Sequence, residues 1–189
     1  MMKKRAYNVG SQSIADRIKK GSVGVEIGVW KGDSTAKFAE KAKLVHAVDS
    51  WDVSVFDNFD EICDKYATMY NIEPTREGFA SFYDEVYNSV VDRFADSNVQ
   101  VYRMSSDDWF KQNTKTDYDW IYIDGDHTYD GCMADLRSSW KIIRKGGVIY
   151  GDDIDTKFEV RSALRQFAQE TVMAQRVVEL GQNQWMIKK

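Results

Sequence analysis

The chain has 189 residues, 43% hydrophobic and 30% charged, with a net charge of −4 and a single proline. That length suits one domain over residues 1–189, with a core that needs neither disulfides nor a structural metal. The acidic balance lacks the basic footprint of a nucleic-acid binder, no run reaches the roughly 18 apolar residues of a membrane span, and Cys63 and Cys132 lack metal-finger or redox spacing.

The basic N-terminal segment MMKKRAYNVGSQS has no apolar stretch of the kind a secretory signal carries, so a cytoplasmic protein is expected. A short helix at about Ser13–Lys20 leads into the apolar run Val23–Val29, interrupted only by Gly24, Glu26 and Gly28. That is the pattern of a buried parallel strand ending in a tight turn. Gly28 and Gly32 bracket the turn, with Trp30 between them, and Asp33, Ser34 and Thr35 suit the cap of a helix running to about Lys41. A second strand, Leu44–Val48, ends on Asp49, followed by Ser50 and Trp51. Asp49 is placed to accept hydrogen bonds from both hydroxyls of a ribose. Strand, glycine turn, helix, strand and terminal acid make half of a doubly wound nucleotide-binding sheet.

The spacing Glu26-x-Gly28-x-x-x-Gly32 lacks the third close glycine of a dinucleotide site. Glu26 would repel a pyrophosphate, whereas it suits a cofactor bearing a sulfonium and an ammonium group. The turn therefore reads as a site for S-adenosylmethionine (SAM), with Glu26, Gly28, Trp30, Gly32, Ser34, Asp49, Ser50 and Trp51 as cofactor contacts.

Between Trp51 and Asn98 no strand-like run appears. Two helices are expected, Asp60–Tyr70 and Glu77–Ala95, separated by Glu73-Pro74-Thr75-Arg76, and the segment is rich in aromatics including Phe56, Tyr66, Tyr70, Phe82 and Tyr83. Three readings stay open for this insertion: core packing, a lid over the catalytic face, or a contact between subunits of a homo-oligomer. Alternation then resumes with strand Val99–Arg103, a helix around Asp107–Gln112, strand Trp120–Ile123, helix Asp130–Ile143, a turn at Lys145-Gly146-Gly147 and strand Val148–Tyr150. Helix Lys157–Glu170 and a hairpin of Arg176–Leu180 with Gln184–Ile187 close the chain. Asp108 and Asp130 are expected to cap their helices, and Ser106 and Asp107 to lie on the adenine side of the site.

The catalytic signal is YDWIYIDGDHTYDG, Tyr118–Gly131, together with KGGVIYGDDI, Lys145–Ile154. Neighbouring parallel strands ending at Ile123 and Tyr150 would bring Asp124, Asp152 and Asp153 to one edge, where their mutual repulsion calls for a cation. Oxygen ligands suit Mg²⁺, with Mn²⁺ or Ca²⁺ as alternatives. Asp124 also adjoins the cofactor turn. His127, on the turn after Asp124, can take a proton from a hydroxyl beside that metal, and competes with a reading as a capping or surface histidine. His46, inside the second strand, has no chemical role to play.

Through VEIGVWKGDST, VHAVDSWD, YDWIYIDGDHTYDGCMADLRSSW and KGGVIYGDDI the chain resembles the class I SAM-dependent methyltransferases, and more narrowly the metal-dependent sugar O-methyltransferases of the macrocin type. The resemblance implies an α/β, Rossmann-like, doubly wound sheet of seven strands, mostly parallel with an antiparallel C-terminal hairpin and a helical insertion after the second strand. It also implies SAM across the Gly28–Gly32 turn, Asp49 on the ribose, Asp124, Asp152 and Asp153 as metal ligands, and His127 as general base toward a small hydroxylated acceptor. Two rivals remain: a metal-independent methyltransferase acting on an amine or carboxylate, and a non-catalytic SAM-binding module.

Overall fold

The computed structural model describes residues 9–53, 59–171 and 177–189. The basic segment Met1–Asn8, Phe56 and Arg176, all used above, lie outside the described residues. The elements in chain order are α1 (Val9–Arg17), β1 (Val23–Ile27), α2 (Asp33–Ala39), β2 (Leu44–Asp49), α3 (Phe59–Tyr70), α4 (Arg76–Phe94), β3 (Val99–Arg103), α5 (Ser106–Gln112), β4 (Tyr118–Ile123), α6 (Tyr129–Ile142), β5 (Ile143–Gly151), α7 (Phe158–Glu170), β6 (Val177–Gly181) and β7 (Gln184–Lys188).

One sheet of seven strands runs in the order β3-β2-β1-β4-β5-β7-β6. β1 pairs in parallel with both β2 and β4, and β7 lies antiparallel to both β5 and β6. The period of two along each strand divides the core between the two faces. Val25, Ile27, Ile121, Ile123 and Ile149 pack with α5, α6 and α7, while Val45, Ala47, Trp120, Tyr122 and Tyr150 pack with α1, α2 and α4. Chain order reverses between β1 and β4, so their carboxyl ends open the crevice where ligands bind in such sheets.

Two expectations change. The segment 51–98 is only partly an insertion, because Val86, Val90 and Phe94 of α4 pack in the core beside Phe38 of α2, and α4 is the crossover helix between the parallel strands β2 and β3. The addition is α3, which packs through Phe59 and Ala67 against Phe79. Nor is Lys145-Gly146-Gly147 a turn ahead of a short strand. It is a bulge within β5, where Gly146 takes φ 79 and the pairing to β4 slips between Tyr118 and Trp120.

The helix caps also differ from expectation. Ser105 caps α5 by accepting from the Asp108 amide, and Thr128 caps α6 by accepting from the Gly131 amide. A hydroxyl one residue before the helix reaches the exposed amide that the aspartates, already inside the first turn, cannot. His46 hydrogen-bonds the Tyr102 hydroxyl at 3.1 Å within the aromatic packing of Tyr102, Trp109 and Tyr118, a structural place.

Gly24 is glycine because Trp120 on β4 lies across it: a Cβ there would meet the indole at 2.0–2.5 Å. Gly24→Ala should cost about 1–3 kcal/mol of stability through overpacking, measured as a lowered urea midpoint at unchanged denaturant slope.

Candidate active site

The β1–α2 turn is organised by a carboxylate from the neighbouring strand. Asp49 Oδ2 accepts the Val29 and Trp30 amides, each at 2.9 Å, and Oδ1 accepts the Trp51 amide at 2.9 Å. These bonds hold Trp30 at φ 52 and Trp51 at φ 41, a left-handed backbone that bulky residues seldom adopt. A carboxylate offers about four lone-pair sites. Three are occupied here by the backbone amides of the turn. Ser50 continues the chain between Asp49 and Trp51 at the strand end.

Gly28, at φ 87, lies so close to the end of β4 that a Cβ would meet the Asp124 carbonyl oxygen at 2.1 Å. The Gly28 amide donates to the Val48 carbonyl at 2.9 Å, and the Asp124 amide donates to the Ile27 carbonyl at 2.8 Å. The ends of β1, β2 and β4 are thereby tied together at the crevice. Gly32 forms the N-cap of α2 with no side-chain cap, so the capping expected of Asp33, Ser34 and Thr35 is not what the hydroxyls do.

Ser34 and Thr35 instead hydrogen-bond the two oxygens of Glu26, which is 0% exposed. This corrects the reading of Glu26 as an open cofactor contact: its carboxyl lies inward, under the start of α2. Burial pushes its pKa up to about 8, so it holds a proton at neutral pH and offers a sulfonium no fixed negative charge. Trp51 is corrected likewise. Its indole is 1% exposed, packs on Tyr87 and donates to the Trp30 carbonyl at 2.9 Å, leaving only its backbone for the site. Ser106 opens α5 with its hydroxyl on the buried carboxyl of Asp135, and exposed Asp107 pairs with Lys111 at 2.7 Å along the helix surface.

On the β4–β5 side, His127 Nε2 lies 2.7 Å from Asp153 Oδ2 and 3.5 Å from Asp124 Oδ1. Burial works against charge on the ring, but the two carboxylates prevail and hold its pKa at about 9. Asp153 is held well below the usual carboxylate range, chiefly by His127, against the effect of burial. Burial raises Asp124, and it raises Asp152 to about 6 with the help of the Asp124 charge. Nε2 is buried without an aligned hydrogen bond, so the contact is one of charges converging on a common point.

Asp124, His127 and Asp153 each direct a ligand atom into a group spanning no more than 4.8 Å. Asp152 is not part of that group: its Oδ1 accepts the Asp153 amide at 2.8 Å, while the Tyr122 hydroxyl sits 3.4 Å from its Oδ2 and 3.5 Å from Asp124 Oδ2. The expected trio of carboxylates is therefore two carboxylates and an imidazole, with Asp152 one step behind. Two oxygens and a nitrogen within this span fit a divalent cation whose other positions go to water or substrate.

Asn183, unremarked in the sequence, anchors this side. Its Nδ2 donates to Asp153 Oδ1 at 2.7 Å and to Thr156 Oγ1 at 3.0 Å, and its Oδ1 accepts the Asp155 and Thr156 amides. Its main-chain carbonyl accepts the Ile154 amide at 3.0 Å. Asp153, at φ 65, owes its aim at His127 to this clamp. The visible signal was an asparagine in a tight hairpin turn, suited to left-handed backbone; its reach across to residue 153 was not visible.

Two measurements check these assignments. Glu26 is protonated in the fold up to about pH 8 but ionised in the unfolded chain above its ordinary value of 4.5, so it makes stability fall as pH rises between those limits. Glu26→Gln should remove that component, and the difference in unfolding free energy from the wild type should change steadily from pH 5 to 8 and level off above. Asn183→Ala should lower stability by about 1–3 kcal/mol, the cost of leaving polar partners unsatisfied, read from chemical unfolding.

Comparison with known proteins agrees with this geometry. The methyltransferase-domain family model matches residues 25–154. Among curated proteins none matches the chain in sequence. Among solved structures, SMU.1697c, described as a methyltransferase of Streptococcus mutans in complex with S-adenosylhomocysteine (SAH), superposes with a TM-score of 0.62 at 13% identity, covering 100% of this chain and 99% of the other. The O-methyltransferase NovP gives 0.59 at 16% identity over 95% of this chain and 78% of its own. An O-methyltransferase from Bacillus cereus in complex with SAH gives 0.57 at 18% identity over 96% and 81%. With the sheet order, the crevice and the family match in agreement, the chain belongs to the methyltransferase-domain family, as a class I SAM-dependent methyltransferase.

Proposed function

We propose that this methyltransferase moves the methyl group of SAM to a hydroxyl oxygen of a small acceptor, with His127 as the base. The observation that supports the reading best is the convergence of His127, Asp124 and Asp153 beside the Gly28 turn, at the place where the sheet reverses its order. The turn packs through Gly28 directly against the end of β4 and presents the backbone that Asp49 holds, as a nucleoside cofactor requires. The two SAH-bound neighbours support SAM as the cofactor, and NovP and the Bacillus cereus enzyme, both O-methyltransferases, support oxygen as the acceptor atom.

The carboxylates of Asp124 and Asp153, with Asp152 alongside, fit Mg²⁺ or Mn²⁺ and would leave His127 Nε2 for the acceptor's proton. Such an ion supplies positive charge that stabilises an alkoxide at the acceptor oxygen. The chain's own part is positional and protonic. Asp153, fixed by Asn183 and Thr156, sets the imidazole beside the acceptor site. If Asp124 and Asp153 held such an ion they would no longer hold the proton on His127, and Nε2 would be available to take the acceptor's proton. The oxygen lone pair forms the new O–CH₃ bond as the S–CH₃ bond breaks, and its electrons return to sulfur, leaving SAH. In-line placement of the reacting groups supplies most of the acceleration.

His127→Ala should lower turnover by about 100-fold or more while SAH affinity stays nearly unchanged, measured by labelled-methyl transfer into a panel of hydroxylated acceptors and by SAH titration. An unchanged rate removes the base assignment. Full activity after exhaustive EDTA treatment removes the metal and favours a metal-independent transfer.

A further inference from the structure

The mechanism makes no use of the rings gathered around Trp30. α3 contributes Tyr70, and α4 contributes Phe82 and Tyr83, with ring centroids 5.3, 5.8 and 5.6 Å from that of Trp30. Tyr70 and Phe82 stack at an interplanar angle of 27°. All four side chains are half-buried, so the group is not sealed inside the core. Over it lies the ammonium of Lys31, 5.6 Å from the Trp30 ring, 5.3 Å from Tyr70 and 5.6 Å from Phe82. Among the described residues no carboxylate lies within ion-pair distance of Lys31, so the ring faces are what attract this cation.

Two further observations connect the group to the turn read as the cofactor site. Trp30 is held by Asp49 through its amide and takes the left-handed backbone that turns it out of the strand. Tyr83 sits near enough to Asp49 that the carboxylate's charge, after burial, helps raise its hydroxyl's pKa. The bowl is thus built onto the turn that the cofactor would occupy, and bulky residues in costly backbone are found where function requires them.

A lysine ammonium is compact and strongly hydrated, and it rides on a flexible stem. Lys31 is exposed and can swing into solvent at the loss of about 0.5–1 kcal/mol. An N-methylated ammonium gives up less hydration and covers more of the ring faces. We propose that Trp30, Tyr70 and Phe82 form an acceptor subsite that takes an N-methylated ammonium group, with Lys31 as its removable occupant. The acceptor class is then a hydroxylated compound carrying such a cation, an assignment that rests on the reading of the Gly28–Gly32 turn as the cofactor site.

The test is an NMR titration of the full chain, saturated with SAH and at fixed ionic strength, with tetramethylammonium and with its neutral analogue of similar shape, tert-butyl alcohol. Tetramethylammonium should bind saturably and the alcohol at least about tenfold more weakly. Lys31→Gln should tighten tetramethylammonium binding by about two- to fivefold, the equivalent of the cation–π contact it releases, whereas Lys31→Arg should not tighten it. Phe82→Leu and Tyr70→Leu, which keep apolar bulk, should each weaken it at an unchanged melting temperature, and either one suffices if the other fails to fold. Equal binding of the alcohol, no saturable binding to the wild type and to Lys31→Gln, or indifference to both leucine variants overturns the proposal. SAH titration on the same samples separates the two levels: loss of SAH binding in the wild type overturns the cofactor site, while intact SAH binding without tetramethylammonium binding overturns the subsite alone.

Discussion

The cofactor side of the crevice hangs from the Asp49 carboxylate and its three backbone donors, Val29, Trp30 and Trp51. Two tryptophans in left-handed backbone cost about 1–3 kcal/mol each. Hydrogen bonds to a charged acceptor return about 1.5–3 kcal/mol each, which is enough to keep both residues there. Without that anion the turn after β1 would relax, and with it the position of Trp30 against the rings of α3 and α4. Asp49 is consequently the keystone of a turn.

The opposite side of the crevice solves a different electrostatic problem. β4 and β5 both end in acids, and parallel pairing sets Ile123 beside Gly151, so Asp124, Asp152 and Asp153 follow at one edge. The molecule manages this density of carboxylates with three devices: the Tyr122 hydroxyl between Asp124 and Asp152, the imidazolium of His127 on Asp153, and the amide of Asn183. The first and third orient the acids without charge. The second is a charge of opposite sign, and the proposed reaction draws on it. Glu26, farther back, is buried with its pKa raised to about 8, so it holds its own proton at neutral pH.

Much of this was legible beforehand. Near-continuous apolar runs such as Val23–Ile27 and Trp120–Ile123 announce strands buried on both faces, and acids directly after strand ends announce the edge where ligands bind. The register of long helices was harder to weigh: α4 looked like inserted material because its aromatic residues match a pocket as well as a core, and only its packing with Phe38 of α2 shows it to be a crossover helix. Glu26 was read by its sign of charge, a property that burial then cancels. The direction of a side chain at the end of a strand depends on what the next helix offers it, and Ser34 and Thr35 offered hydroxyls.

From its own pattern of apolar periods, glycines and terminal acids, the sequence determines the alternating α/β order, the cofactor turn and the set of acids that can meet. Those features are local or follow from handed, parallel connections that leave few arrangements open. Only the folded chain decides how the meeting is arranged: that His127 rather than Asp152 completes the group, that Asn183 holds Asp153 from a hairpin thirty positions away, and that an exposed lysine rests on rings from separate helices. Such contacts depend on side-chain direction and burial across elements distant in sequence, and no single stretch of residues encodes them.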